Sequence, residues 1–381
     1  MIRNIPKILI LNYEYPPLGG GGGRVSHSLA KGFTQKGYHV DVITSKFVSL
    51  PYIEVVDGIH IHRVPIIGRE KRQTATFLSM LSFLFTACLR GLILCIKNRY
   101  QFINTHFVLP TGPLGFALSK LFHIKNILSI HGGDIFDPSE KRSPHNHWFL
   151  RKIIHFFLNQ AHQVVAQSQN TRLNAIRFYR PDREIHVIPL SYEPYGFSRK
   201  SKAELNLDEN KIHLISVGRI IKRKGFDYLI RSLKLLNENI VLLIIGDGTG
   251  LNKLIQMVRG LHLEHRVKFI GDVSEDLKFQ YLASSDLYVL SSLHEGFGIV
   301  LQEAMQVGLP IVSTNSGGQV DIVVDGVNGI LVDPHNEQAL ADAVLYVFDN
   351  PKLASLMASN NKKALVKYKT ENIIHQYLQL I

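Results

Sequence analysis

Short apolar runs alternate with helical stretches along the whole chain, and that alternation limits the fold more than any other feature. Several runs are apolar at nearly every position, as in Ile8-Leu-Ile-Leu11 and Ile240-Val-Leu-Leu-Ile-Ile245. A strand of that kind has to be covered on both faces, which parallel strands flanked by helices achieve. The pattern starts with a strand expected at Lys7–Tyr13, has no strand between His39–Thr44 and Ile59–Val64, and ends with one at Gly329–Asp333. Such alternation builds right-handed strand–helix–strand units and doubly wound sheets, whose ligands sit beyond the carboxyl ends of the strands.

The 381 residues exceed one ordinary domain. The expected division is a first domain over 1–190, a polar linker over 191–210, a second domain over 211–363, and a terminal helix over 364–381 packing back on the first domain. Pro194, Gly196 and the run Ser198-Arg-Lys-Ser-Lys202 mark the linker. Apolar residues at 45% and charged residues at 19% exclude a disordered chain. Charge is divided unequally: residues 1–190 hold 23 Lys and Arg against 10 Asp and Glu, whereas 191–381 hold 20 against 21. The clusters Arg69-Glu70-Lys71-Arg72, Lys141-Arg142 and Arg151-Lys152 flank apolar stretches, without the interleaved aromatic residues on which a nucleic acid strand stacks. The basic first domain is therefore expected to meet an anionic membrane surface and no nucleic acid.

The most apolar stretch, Thr74–Ile96, is broken by Arg90. A spanning helix needs ~20 unbroken apolar residues, so this one is read as a helix packed on a sheet or lying partly in a membrane interface. Ile8–Leu11 is too short for the core of an export signal. Cys88 and Cys95 make neither a disulfide framework nor a cysteine zinc site. The expected location is the cytoplasm, peripheral on the inner face of the membrane.

Three segments carry chemistry suited to strand ends. The first strand runs into Asn12-Tyr-Glu-Tyr-Pro-Pro-Leu18 and the glycines Gly19 to Gly23, with a helix expected from about Arg24. A glycine turn entering a helix gathers N–H groups at the positive helix end and suits an anion. It lacks both the Gly-Lys-Ser/Thr of a nucleoside-triphosphate loop and the spaced acid of a dinucleotide fingerprint. A plain surface loop has the same composition. The second domain opens with Gly218-Arg219-Ile-Ile-Lys-Arg-Lys224-Gly225, where Arg219 and Lys224 match a pyrophosphate or simply form a solvated basic loop. The third segment is Ser291-Ser-Leu-His-Glu295-Gly-Phe-Gly-Ile-Val-Leu-Gln-Glu303. There a strand ends, Gly-Phe-Gly turns, and a helix starts near Ile299, so the N–H groups of Phe297, Gly298 and Ile299 suit an anion or a sugar hydroxyl. Glu295 and Glu303 lie at different depths, unlike a glycosidase pair facing across one sugar.

This third segment resembles the signature of retaining, family-4-type glycosyltransferases, two glutamates separated by seven residues. Gly246-Asp-Gly248, Ala283-Ser-Ser-Asp286, Gly308-Leu-Pro310 and Ser316-Gly-Gly318 are similar to that family's companion motifs. Gly20-Gly21 with Arg24-Val25 resembles its glycine loop, and His131-Gly-Gly-Asp134 its His-Gly-x-Asp segment. Three departures are Ile188-Pro-Leu-Ser191, Ala161-His162 and the Asp321 that stands where Glu is common.

The resemblance implies the α/β, GT-B type of fold: two Rossmann-like domains facing across an interdomain cleft, the first taking the acceptor and the second the nucleotide sugar. It implies that Arg219 and Lys224 bind the donor diphosphate and offset charge on the leaving nucleotide. Glu303 would accept from ribose hydroxyls; Glu295 and the amides of Phe297, Gly298 and Ile299 would hold the transferred sugar. His131 would approach that sugar from the first domain, and Gly20 and Gly21 would lie against the diphosphate or the acceptor. The resemblance further implies no metal and no cofactor, a UDP-sugar as the commonest donor, front-face attack by an acceptor hydroxyl, and a lipid-linked saccharide of a cell-surface polysaccharide as acceptor. A sugar-nucleotide epimerase on the same fold, or a non-catalytic nucleotide- or membrane-binding module, are the alternatives.

Overall fold

The computed structural model describes residues 5–18, 20–47, 49–69 and 75–381. Gly19, the cluster residues Glu70, Lys71 and Arg72, and Thr74 lie outside them. The chain forms two compact units, Met1–Glu193 with Tyr368–Ile381, and Pro194–Lys367.

In the first unit the elements follow in the order β1 (Lys7–Leu11), α1 (Gly21–Gln35), β2 (His39–Ser45), β3 (Ile53–Val56), β4 (Ile59–Val64) and α2 (Phe77–Lys97). Then come β5 (Phe102–His106), α3 (Gly112–Phe122), β6 (Lys125–Ile130), α4 (Trp148–Gln160), β7 (Gln163–Ala166), α5 (Gln169–Tyr179) and β8 (Ile185–Val187). The sheet order is β3-β4-β2-β1-β5-β6-β7-β8. All neighbours are parallel except β3, which pairs antiparallel with β4. This edge strand is absent from the sequence reading, because Ile53 and Val55 are exposed and leave no buried stripe. Its hairpin is set by Asp57-Gly58, both at positive φ, the pairing that matches strand twist.

Leu9, Leu11, Ile43 and Ile103 of the sheet pack against Phe83, Ala87 and Leu94 of α2 and Leu114 and Leu118 of α3. Helix α2 starts at a reciprocal cap, Thr76 Oγ1 accepting from Ser79 N–H and Ser79 Oγ from Thr76 N–H. Among the described residues it is long and apolar enough to cross a membrane by length and composition, with mean hydropathy 2.0. It nevertheless lies on the sheet, and Arg90 donates to His62 Nδ1 at 2.7 Å.

In the second unit the elements are β9 (Ile212–Val217), α6 (Phe226–Ser232), β10 (Ile240–Ile245), α7 (Leu251–Gly260), β11 (Val267–Gly271) and α8 (Glu275–Ala283). They continue with β12 (Leu287–Leu290), α9 (Ile299–Val307), β13 (Ile311–Thr314), β14 (Ile330–Val332), α10 (Glu337–Asp349) and α11 (Pro351–Ala364). The order β11-β10-β9-β12-β13-β14 is parallel throughout.

Two boundaries differ from the sequence reading. Residues 194–210, expected as linker, are built into the second unit. Tyr195 and Phe197 stack on Phe279 at 5.1 and 5.5 Å, and Gln306 bonds both backbone groups of Tyr195. Polar composition hid these two aromatic anchors. The last helix, α12 (Thr370–Leu378), lies in the first unit, where Tyr377 meets the Phe33 ring and bonds Ser129. The segment that joins this unit starts at Tyr368, with Leu365–Lys367 left in the second.

Candidate functional site

In the second unit β9 and β12 are neighbours, so the loops leaving them share one carboxyl edge. The loop after β9 passes Gly218-Arg219 and makes one tight helical turn at Lys222–Lys224. The loop after β12 runs from Ser291 to Gly298 and enters α9. Lys224 Nζ donates to Glu295 Oε1 at 2.5 Å, and Ser292 Oγ donates to the same oxygen at 2.7 Å. Arg223 Nη1 lies 3.8 Å from Glu295 Oε2 and donates to the His294 carbonyl at 3.1 Å. Burial alone would raise the Glu295 carboxyl, but Lys224 and then Arg223 outweigh it and hold the group down to about 2. The carboxylate is thus an ionised acceptor at any physiological pH.

The backbone beneath Glu295 is fixed by the loop after β13. A Cβ on Gly318 would lie 2.1 Å from the Gly296 carbonyl oxygen, and one on Gly317 2.5 Å from that of Glu295. Gly318 N–H donates to the Glu295 carbonyl at 2.7 Å. Only glycines allow this approach, which gives the Ser316-Gly-Gly318 motif a structural reason. The Phe297 side chain is buried, so only its backbone can face a ligand. The amides of Gly298 and Ile299 stand at the head of α9, whose first turn has no earlier carbonyls within the helix.

Glu303 sits one turn into α9, buried, and accepts from Lys278 Nζ of α8 at 2.6 Å. Lys278 also donates to Glu275 at 2.8 Å. The Arg219 side chain is exposed and makes no hydrogen bond or ion pair among the described residues. The sequence reading missed Lys278 and Arg223 as members of the cluster. Lys278 stands three residues after Glu275, which looks like an ordinary surface helix pair.

The carboxyl edge of β1, β5 and β6 holds the first unit's candidates. Helix α1 begins at Gly21 rather than near Arg24, so Gly21 to Gly23 are its first turn and not a loop. A Cβ on Gly22 would lie 2.3 Å from Phe107 Cζ, and one on Gly23 2.9 Å from the Leu18 carbonyl oxygen. The glycines are there because the helix starts against the Phe107 ring and the preceding turn. Around Gly20 a Cβ would meet nothing within 4 Å.

His131 directly follows β6, and its ring lies tilted against Phe107 with centroids 4.5 Å apart. Gln167 Nε2 donates to the His131 carbonyl. Its Oε1 is therefore the acceptor for His131 Nδ1–H at 3.2 Å, which leaves His131 Nε2 to accept from His106 Nδ1–H at 2.9 Å. Both ring nitrogens are occupied within the unit, and burial lowers His131 to about 4, keeping it neutral. Asp134 accepts from the N–H groups of Val108 and His131, both at 2.8 Å. Burial still raises its carboxyl to about 6. The structure thus groups Gly20 to Gly23 with Phe107 and His131 in one unit, and Lys224 with Glu295 in the other; Glu303 is held by a lysine of its own.

Comparison with known proteins agrees over nearly the whole chain. The family described as "Glycosyltransferase Family 4" matches residues 19–193, and "Glycosyl transferases group 1" matches 197–364. The chain is a family-4-type glycosyltransferase. A mannosylfructose-phosphate synthase of Agrobacterium fabrum is 29% identical to it, over 99% of this chain and 91% of that protein. Sucrose-phosphate synthase from Thermosynechococcus elongatus superposes with a TM-score of 0.86 at 22% identity, over 98% of both chains. The Anabaena protein HepE in complex with UDP-glucose gives 0.77 at 22% identity, over 98% of this chain and 100% of that one. Both share the GT-B type of fold with this transferase.

Proposed function

We propose that this glycosyltransferase moves a sugar, with retention, from a nucleotide-diphosphate sugar to an acceptor hydroxyl, without a metal ion or cofactor. The observation that carries the reading is the Arg219–Arg223–Lys224–Glu295 cluster at one carboxyl edge. Lys224 and Arg223 against one ionised carboxylate leave one positive charge, and the exposed Arg219 of the same loop brings the total to two. A diphosphate carries the complementary charge, and cations fixed before the bond breaks stabilise the departing nucleotide without reorganising. Lys224 spends one donor on Glu295 and keeps two for phosphate oxygens. Glu295, with the head of α9 and the backbone of Phe297, Gly298 and Ile299, accepts and donates to sugar hydroxyls. Glu303, oriented by Lys278, takes ribose hydroxyls. Gly20 and Gly21 lie where an anion would approach the head of α1. His131, neutral and with both ring nitrogens engaged, holds the sugar-side wall rather than moving a proton. The acceptor hydroxyl attacks on the face from which the nucleotide leaves.

The UDP-glucose in complex with HepE supports a UDP-sugar donor. The basic first unit supports an acceptor that is a lipid-linked saccharide of a cell-surface polysaccharide, reached by a peripheral protein at an anionic inner membrane face. Titration calorimetry with UDP, GDP and ADP in chelator tests the core of this reading. Arg219→Ala removes no contact within the described residues, so its effect reports the ligand. The expected result is micromolar binding of one diphosphate, weakened ~10–100-fold by Arg219→Ala, the worth of a hydrogen bond to a charged group. No binding, or binding indifferent to Arg219, overturns it.

A further inference from the structure

An open pocket of about 470 Å³ lies between α3 and α4 in the first unit. Leu109, Pro113, Ile153, Phe156 and Phe157 line it, with Lys152 at its side. Leu109 follows β5 at the carboxyl edge, three residues after His106 and next to Val108, which bonds Asp134. The pocket therefore adjoins the His131 group within one unit. At the start of α4 Trp148 is 70% exposed and Phe149 59% exposed, while Phe156 is 44% exposed at the pocket itself. Lys152 Nζ stands 5.2 Å from the Trp148 ring centroid. No Asp or Glu occurs between Glu70 and Asp134, nor anywhere in α2, α3 or α4, and the charged group on the pocket lining is Lys152.

We propose that this pocket takes the hydrocarbon chain of a phosphate-headed lipid, with Lys152 at the headgroup. The assignment of that lipid as the carrier of the acceptor rests on the lipid-linked reading given above. A bound peptide would bring backbone N–H and C=O groups needing partners, and the lining offers them no acceptor and only the Lys152 ammonium as donor. A hydrocarbon chain has no polar groups to satisfy. Lys152, on a helix that carries no acid, selects an anionic headgroup over a neutral one. An aromatic ring with one exposed polar edge suits the boundary between the two.

Trp148 is the chain's single tryptophan and neighbours Lys152 of the pocket lining, so its emission reports the surroundings of that end of α4. The test titrates the full chain with a long-chain polyprenyl phosphate in neutral detergent micelles at physiological salt. The same polyprenol without phosphate and empty micelles run in parallel. The expected result is a saturable blue shift with the phosphate lipid, at least tenfold weaker for the polyprenol. Phe156→Ser and Lys152→Glu should each weaken binding at least tenfold, compared by midpoint because Lys152 also neighbours the ring. Near-ultraviolet dichroism confirms that the variants fold. No shift beyond that of empty micelles, equal affinity for the polyprenol, or midpoints indifferent to Phe156 overturns the proposal. UDP binding in the same sample reads the second unit, so failure of the transferase reading shows there and failure of the pocket shows here.

Discussion

Glu295→Gln should narrow the stability gap to the parent chain as pH falls. The carboxyl has an ordinary value of 4.5 in an unfolded chain and about 2 in the folded one. Because the folded value is depressed, the unfolded chain takes up the proton first. The stabilisation is complete above ~5.5 and is lost as pH drops through 4.5 toward 2. The gap between the two values is worth about 3 kcal/mol at neutral pH, of which about 1 kcal/mol has gone by pH 3.5. Glutamine keeps the shape and binds no proton, so this position contributes no slope in the variant. Urea unfolding of both proteins at pH 6 and pH 3.5 measures the gap, with far-ultraviolet dichroism reading both units. Trp148 fluorescence marks the first unit's transition, since that unit holds the only tryptophan. The free-energy difference should shrink by about 1 kcal/mol between the two pH values. A constant difference would refute the claim that Lys224 and Arg223 hold Glu295 ionised against its burial.

Two further substitutions probe the frame of each site. Lys278→Met leaves Glu303 buried without its lysine and should cost the second unit about 3–5 kcal/mol; adding Glu303→Gln should recover most of it, as read by scanning calorimetry. Gly22→Ala puts a methyl 2.3 Å from Phe107 Cζ and should destabilise the first unit by about 1–3 kcal/mol in a Trp148-monitored urea titration. Gly20→Ala, with nothing within 4 Å, should be near neutral in the same titration.

The two sheets were legible because their strands are apolar on both faces, a pattern that only a covered parallel sheet accommodates. What escaped was set by contacts distant in sequence. Strand β3 is an exposed edge and carries no periodic signal. The 194–210 segment is polar in sum, yet two of its aromatic rings lie on Phe279. Gly21 to Gly23, read as a loop, are the first turn of α1, where a side chain at Gly22 or Gly23 would strike Phe107 or the Leu18 carbonyl. The Glu295–Glu303 spacing stood out in the sequence, whereas the lysines facing the two carboxylates come from residues 71 and 25 positions away. Spacing along one segment shows which groups leave a strand end together; it does not show which cations from other loops reach them.

That difference alters how the cationic loop has to be read. Taken from the sequence, Arg219 and Lys224 are two bare cations awaiting a phosphate. In the structure Lys224 is already bonded to Glu295, with Arg223 beside the second oxygen. A bare cluster of like charges would splay apart until a ligand neutralised it, and that reorganisation would count against affinity. Pairing with an ionised glutamate holds Lys224 in one rotamer before any ligand arrives, and Ser292 fixes the glutamate in turn. On the proposed donor reading Glu295 therefore serves twice, as an acceptor in its own right and as the counter-ion that keeps the loop shaped for an anion. On that same reading Arg219, its side chain exposed and unpaired among the described residues, is the group whose charge remains for the ligand to neutralise.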